Sequence, residues 1–214
     1  MQHRTIGRAR RTPRLVGALT LGLALTLSAC GGDESADDTS AEVSDTEHND
    51  ADVAFATDMI QHHAQALSMV DLTVERNLDP EVQELAQDVR DAQGPEIEQM
   101  ADWLQEWDEE VPATMRDHSN AGHDMEGMAD SMKGMESDMP GMMTAEDFEE
   151  LENAPDAEFQ DMWLEMMVEH HEGAVEMARD QQDDGRYAPA VELAGTIIDA
   201  QEAEIATMKD VLGS

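Results

Sequence analysis

Two pairs of adjacent histidines are the residues of this 214-residue chain whose type and spacing most clearly favour chemistry. His62 and His63 lie in the stretch MIQHHAQALSMV, and His170 and His171 lie in MMVEHHEGAVEM. Imidazole nitrogens and thioether sulfurs are both metal donors. In each stretch a methionine precedes the first histidine by three residues and another follows it by seven; these are Met59, Met69, Met167 and Met177.

Both pairs belong to an internal repeat with an offset of 108 residues. That offset aligns FATDMIQHHAQALSMV with WLEMMVEHHEGAVEMA, and it also aligns DAQGPEIEQM (91–100) with DAQEAEIATM (199–208) without a gap. Within the second match Glu96 falls on Glu204. An ungapped match at two separated places indicates an internal duplication.

Apolar residues at spacings of three and four, with almost no alternation typical of strands, predict an all-α protein. Gly94 and Pro95 interrupt one of the patterns, but their repeat partners are Glu202 and Ala203, so we expect a kinked, continuous helix there. The simplest architecture is a four-helix bundle made of two repeated helical hairpins. The predicted helices span residues 49–76, 80–107, 145–153, 155–182 and 187–212.

The organisation of the chain follows from shifts in composition. Residues 31–48 contain one valine and no other large apolar residue, so they predict a disordered acidic tether. Everything from residue 49 to residue 214 is expected to form one domain. The predicted segments are a signal peptide (1–29), the tether (30–48), a first hairpin (49–111), a Met-rich and His-rich linker (112–144) and a second hairpin (145–214).

The N-terminal segment predicts export from the cytoplasm. A basic stretch precedes an apolar run over residues 15–27, which is too short to span a membrane comfortably and is typical of a signal peptide. The run ends in LSAC, which resembles the bacterial lipoprotein signal, so we expect lipid on Cys30, the only cysteine. An uncleaved anchor or an ordinary secretory signal is the alternative. The folded part is expected outside the cytoplasm, anchored to the cell membrane only through this lipid.

Charge excludes several classes of partner. Loss of residues 1–29 removes five arginines and no acidic residue, so seven Lys and Arg then face fifty Asp and Glu, a formal charge of about −43. Such a field repels nucleic acid and anionic lipid, and it attracts cations. We therefore expect no nucleic-acid partner and no direct binding to a membrane surface.

The helical pattern places His63 on the predicted core-facing stripe, with Val53, Ile60 and Val74, and places His62 beside it. A single buried histidine usually finds one hydrogen-bond partner and nothing more. Four imidazoles converging in one core are costly to bury unless a metal binds their lone pairs. The pattern thus favours metal ligation, with core packing as the alternative, and does not decide which histidine of each pair is a ligand.

The linker supplies a second set of candidate donors. Residues 115–143 hold eight of the seventeen methionines, and their glycines and Pro140 favour a mobile segment with no core to fill. A Met-rich protein-binding surface and compositional drift are the alternatives. The candidates are Met115, His118, His123, Met125, Met128, Met132, Met135, Met139, Met142 and Met143.

Copper is the metal that this donor set favours. Soft thioether sulfur prefers Cu(I), and imidazole supports both Cu(I) and Cu(II). Thiols tend to be oxidised outside the cytoplasm, so histidine and methionine can hold copper there without cysteine. The spacing MxxH occurs three times, which places sulfur and nitrogen one helical turn apart; the pairs are Met59 and His62, Met115 and His118, and Met167 and His170.

The stretches MWLEMMVEHHEGAVEMA (162–178), DMIQHHAQALSMV (58–70) and MPGMMT (139–144) resemble the bacterial family catalogued as domain of unknown function 305. The resemblance covers roughly residues 49–212. It implies a ferritin-like helical bundle in secreted or envelope proteins, some of which bind copper and are tied to copper tolerance. It also implies a set of signature positions: His62, His63, His170, His171, Met59 and Met167.

No catalytic constellation is recognisable, so we expect a protein that is not an enzyme. The ExxH pair of di-iron sites is absent, because Met59 and Met167 stand three residues before the first histidines. Two hypotheses follow. The protein is a copper-binding lipoprotein that sequesters copper or passes it to a copper-handling partner, or it is a helical scaffold of the envelope that holds no metal. The sequence does not predict an oligomeric state.

Overall fold

The structure is a computed structural model that describes residues 43–74, 76–116 and 139–213. The predicted signal peptide, Cys30 and the tether up to residue 42 lie outside the described residues. So do six candidate donors of the linker, namely His118, His123, Met125, Met128, Met132 and Met135. Within the described ranges, no helix combines the length and the apolarity that a bilayer crossing requires.

The described residues fold into α-helices, and the prediction of an all-α protein is confirmed. The one β pairing among them is an isolated bridge between Ser44 and Tyr187. The helices are α1 (Asp50–Asp71), α2 (Pro80–Glu106), α3 (Ala145–Asn153), α4 (Asp156–Asp184) and α5 (Ala188–Leu212).

Side-chain caps and prolines explain where most of these helices begin. Asn49 starts α1 through a capping box with Asp52, and Thr144 starts α3 through a capping box with Asp147. Pro80 occupies the first turn of α2, where its missing N–H is harmless. As predicted, α2 then runs through Pro95 without a break.

The first helix ends five residues earlier than predicted, at Asp71 rather than Arg76. The hydroxyl of Thr73 donates to the carbonyl of Val70 at 2.7 Å, which satisfies an orphan carbonyl of the last turn. The guanidinium of Arg76 donates to the carbonyls of Glu152 and Ala154 at the end of α3, and so holds the chain in a turn. The placement of Val74 on the core stripe was therefore wrong, because this side chain is 72% exposed.

The predicted tether also extends too far, because residues 43–48 contact the helices. Ser44 donates to the carbonyl of Arg186 at 2.7 Å and accepts from the N–H of Ala188 at 2.8 Å. His48 stacks on Trp107 with ring centroids 4.4 Å apart. These contacts fasten the segment before α1 to the turn between α4 and α5.

The long helices pack as two pairs. Helix α1 packs on α2, α4 packs on α5, and contact between α1 and α4 joins the pairs. The ferritin-like form of a four-helix bundle stays a prediction.

A layer of polar side chains divides the buried core into two apolar clusters. The first cluster takes α1 up to Ile60 and α4 from Ala174, and the second takes α1 from Ala66 and α4 up to Met167. Between them lie the side chains that we call the polar layer, which are His62, His63, Gln93, Glu96, His170, His171, Gln201 and Glu204. The helices thus bring the predicted histidines together at mid-length.

The linker ends in a turn, residues 139–143, that packs between α1 and α4. The amide of Gln65 bonds to both the N–H and the carbonyl of Met143, at 2.7 and 2.9 Å. Gly141 has a φ of +72°, and Gly173 lies so close that a Cβ atom there would stand 2.1 Å from the carbonyl oxygen of Pro140. Both glycines are required by this close approach.

Two methionines of the linker do have a core to fill. Met143 and Met115 are buried in the second apolar cluster, so the expectation of an exposed segment was wrong for them. Their long, unbranched side chains fill space beside α3 and the turn. Met139 and Met142 are half-buried.

We predict that Gly173→Ala lowers the free energy of unfolding by about 2 kcal/mol, because the new methyl group would collide with a backbone carbonyl. Gly94→Ala is the matched control, since nothing lies within 4 Å of a Cβ atom at that helical position. The control should gain about 0.5 to 1 kcal/mol from helix propensity. Urea unfolding of both variants measures the difference, and equal stability of the two would contradict the close packing of the turn.

Candidate metal centre

His62 of α1 and His170 of α4 are the histidines that meet. Their ring centroids lie 3.8 Å apart with an interplanar angle of 41°, and neither residue has any exposed surface. They occupy equivalent positions in the 108-residue repeat. The structure therefore decides what the sequence left open, which member of each pair faces the other.

The hydrogen bonds of this pair leave three ring nitrogens without a partner among the described residues. The Nε2–H of His62 donates to the carbonyl oxygen of Pro140 at 3.0 Å, and a carbonyl can only accept, so Nδ1 carries the lone pair. Within the described ranges, His62 Nδ1 has no partner, and neither ring nitrogen of His170 has one. Buried polar atoms are rarely left unpaired, so this pair is a candidate ligand set.

His63 and His171 are held from outside by carboxylates. Nε2 of His63 lies 2.8 Å from Oε2 of Glu96, and Nε2 of His171 lies 2.7 Å from Oε2 of Glu204. Each carboxylate can only accept while ionised, so each Nε2 donates; in the neutral form of the ring Nδ1 then carries the lone pair. Neither Nδ1 has a partner among the residues that the structure places. A carboxylate behind a histidine is a frequent support of metal-ligating imidazoles.

These two glutamates were not among the predicted site residues. The sequence did carry a signal for them, because Glu96 follows His63 by the same 33 residues that separate Glu204 from His171. One helical turn before each glutamate lies a buried glutamine, Gln93 or Gln201, whose amide has unpartnered atoms in the described structure. The polar layer thus contains more hydrogen-bonding groups than the described residues satisfy.

Burial sets the charge of the central pair. Desolvation, together with the neighbouring charge of His63, lowers the pKa of His62 to about 3, although the hydrogen bond to the Pro140 carbonyl partly offsets this effect. Desolvation also lowers the pKa of His170 well below its usual value; the other three histidines add to the shift, and a backbone contact with His62 partly offsets it. Both imidazoles are therefore neutral at neutral pH, which is the form that binds metals.

The predicted methionine ligands lie on both sides of this layer. Met59 and Met167 are fully buried one helical turn before His62 and His170, but they belong to different apolar clusters. Met177 packs with the cluster of Met59, and the buried Met69 lies in the cluster of Met167. Each cluster thus presents two candidate thioethers from different helices.

The linker donors divide into two groups. Met139 and Met142 flank Pro140 in the turn beside His62, whereas Met115 and Met143 are packed into the second apolar cluster. In the part of the chain that the structure describes, no three His, Cys, Asp or Glu side chains converge so that they could hold one metal ion. A metal between His62 and His170 would thus need a further donor of another kind, a thioether or a backbone carbonyl.

The fold and the site define a class of protein that is all-helical and in which two helix pairs meet at buried histidines. The chain belongs to the family described as Domain of unknown function (DUF305), which it matches over residues 52–212. The resemblance inferred from the sequence is thus confirmed. Among curated proteins, none is significantly similar to the chain.

Solved structures of related proteins share the fold. A DUF305 protein from Streptomyces coelicolor, described as secreted, is 30% identical with a TM-score of 0.63, and the match covers 76% of this chain and 92% of that one. A DUF305 fragment from Deinococcus radiodurans is 29% identical with a TM-score of 0.61, covering 77% and 97%. CopM in a Cu(II)-bound form is 27% identical with a TM-score of 0.58, covering 76% and 95%. CopM is also solved in Cu(I)-bound and Ag-bound forms.

We predict that the metal-free protein loses stability as the pH falls. Unfolding returns His62 and His170 towards the ordinary value of 6.5 from much lower values, so below that pH the unfolded state takes up protons that the folded state does not. Each histidine then destabilises the fold by up to about 1.4 kcal/mol per pH unit, and neither contributes above pH 7.

Urea unfolding of the wild type and of a His62→Gln, His170→Gln variant between about pH 7.5 and pH 5 tests this linkage. The variant keeps all carboxylates, so the difference between the two slopes isolates the histidines. A variant that loses stability with pH as steeply as the wild type would show that these imidazoles are not held neutral.

Proposed function

We propose that this protein binds copper at the His62–His170 pair and sequesters it or passes it on outside the cytoplasm. One observation carries the proposal: two fully buried imidazoles lie 3.8 Å apart between α1 and α4 with three unpartnered ring nitrogens. Two such rings stay neutral in a dry core, and a bound cation would compensate the lone pairs that the described residues leave unsatisfied.

Copper fits this site better than harder metals. Among the described residues no three carboxylate and imidazole side chains converge on one point, whereas Met59 and Met167 lie one helical turn from the central pair. Thioethers select soft ions such as Cu(I), and imidazole accepts both oxidation states of copper. The relationship to CopM, solved with Cu(I), Cu(II) and Ag, supports the same choice.

Glu96 and Glu204 have supporting roles in this proposal. By accepting from Nε2 they keep the proton of His63 and His171 away from Nδ1, and they fix the orientation of both rings. Because His170 and His171 lie close together, with ring centroids 6.3 Å apart, fixing the outer rings also limits the rotation of the central rings. The four long helices, arranged as a ferritin-like four-helix bundle, serve as a rigid frame for the layer.

The proposed location is the outer side of the cell membrane, with lipid on Cys30 as the anchor. The Streptomyces coelicolor protein, described as secreted, supports an extracytoplasmic place. The tether, now limited to residues 30–42, is proposed to separate the folded domain from the membrane. We propose no catalytic activity and no nucleic-acid partner, and a copper-handling protein is the proposed recipient.

The linker methionines are proposed as a weaker capture arm. Because Met115 and Met143 are buried in the core, the arm is limited to residues between them, with Met139 and Met142 beside the central pair. Replacing a buried methionine lowers the stability of the fold, so a resulting loss of copper binding could not be assigned to the missing sulfur donor.

We predict that the His62→Ala, His170→Ala variant loses its tightest Cu(I) site, with an affinity at least about a hundredfold lower. Competition with a chromophoric Cu(I) chelator measures both affinity and stoichiometry. The second variant is His62→Gln, His170→Gln, whose longer side chains fill more of the space that the histidines leave. His48→Ala, which removes a histidine that stacks on Trp107 outside the layer, is the matched control. Unchanged binding in both pair variants would leave the scaffold hypothesis.

We further predict that replacing Met125, Met128, Met132 and Met135 together with leucine lowers the number of weakly bound Cu(I) ions but leaves the tightest site intact. Leucine keeps the apolar volume and removes only the sulfur donors. Isothermal titration of Cu(I) into variant and wild type resolves the two classes of site. Loss of all binding in this variant would contradict the division between a central pair and a capture arm.

A further inference from the structure

A cavity of about 200 Å³ opens between α1 and α4, outside the site described above. Phe55 and two alanines form an apolar wall, and Met177 contributes a thioether. Three carboxylates line the rest, those of Asp58, Asp180 and Asp184. We call it the acidic cavity. In the described part of the chain none of these carboxylates makes a side-chain hydrogen bond or ion pair.

A buried amide in the wall of the acidic cavity gives a second, independent indication of a ligand. Gln181 is 2% exposed, and its Nε2 donates to Oδ1 of Asp52 at 2.6 Å, which fixes the side chain. Its Oε1 has no partner among the described residues. The amide oxygen of Gln181 and the three ionised carboxylates can accept hydrogen bonds but cannot donate any.

The acidic cavity and the histidine pair both lie where α1 meets α4, and we call this line of contact the α1–α4 groove. Asp58 precedes His62 by four residues in α1, about 6 Å along the helix axis, and so lies on the same face. Met177 follows His170 by seven residues in α4, two helical turns further along that helix. At the level of the histidine pair, Pro140 packs between the two helices, and its carbonyl oxygen accepts from His62.

We propose that the acidic cavity binds a hydrated divalent cation and is the route by which a metal ion reaches His62 and His170. The first part stands on the acidic cavity alone, and the second rests on the proposed copper function. The cation keeps its water shell, because the carboxylates do not converge so that three of them could ligate one ion directly. Its waters donate to the carboxylates and to Gln181 Oε1.

The overall charge strengthens this route. The chain carries 50 acidic residues against 12 basic ones, so cations concentrate near its whole surface. A cleft with apolar walls and carboxylates of one sign focuses that field and raises the local concentration of counter-ions. The acidic cavity is thus the place along the α1–α4 groove where a cation gathers first.

Mn²⁺ and NMR on the full chain test the binding site. Mn²⁺ should broaden the amide signals of residues 54–58 and 180–184 at lower concentration than the rest of the spectrum. The broadening should be lost in an Asp58→Asn, Asp180→Asn, Asp184→Asn variant. It should persist in Glu81→Gln, Glu84→Gln, Asp88→Asn, which removes three exposed charges from α2. Uniform broadening in the wild type, or equal loss in both variants, would overturn the site.

Stopped-flow loading with Cu(II) tests the route. The cavity variant should load the histidine site about tenfold more slowly than the α2 control and reach the same occupancy of that site at equilibrium. Asp180→Asn, Asp184→Asn, which changes only exposed residues, is the second variant should the triple variant not fold. Equal loading rates would overturn the route. If selective Mn²⁺ broadening persists in His62→Ala, His170→Ala, the cavity site is supported even where copper does not bind the histidines.

Discussion

Four imidazoles buried in one layer are the constraint on which the rest of the structure depends. Each neutral ring carries one N–H that must find an acceptor in a core that offers few. His63 and His171 use the carboxylates of Glu96 and Glu204 on the paired helices, and His62 uses the Pro140 carbonyl at the end of the linker. The layer therefore fixes how α1 lies on α2, how α4 lies on α5, and where the linker returns to the domain.

The turn at residues 139–143 breaks the symmetry of the repeat, and two equivalent positions show how. Gln65 in α1 and Gly173 in α4 are related by the 108-residue offset. Gln65 reaches out and holds Met143 with two hydrogen bonds, whereas Gly173 has no side chain and lets Pro140 approach α4. One turn can thus sit between two similar helices only because their side chains differ at this position. As a result the turn supplies an acceptor to His62 but none to His170.

The helices and the histidine layer could be predicted from the sequence because both rest on local patterns. Helical spacing located the five helices of the described residues, and the repeat showed that the histidine pairs occupy equivalent positions. Contacts between distant segments were beyond such patterns. Nothing local indicates that Arg76 binds the end of α3 and ends the first helix early, or that Met143 is buried against Gln65. Adjacent helical residues also diverge by about 100°, so which histidine faces its counterpart needed the packing of α1 on α4.

The unequal hydrogen bonding of the four histidines assigns them different roles. His63 and His171 are each held by a carboxylate from the paired helix, so their rings are fixed whether or not a ligand is present. His62 is held by a backbone carbonyl from the turn, whereas His170 receives no such bond from the turn or from a carboxylate in the described structure. The glutamate-held rings thus frame the layer, and the central pair carries three of the five ring nitrogens that the described residues leave without a partner.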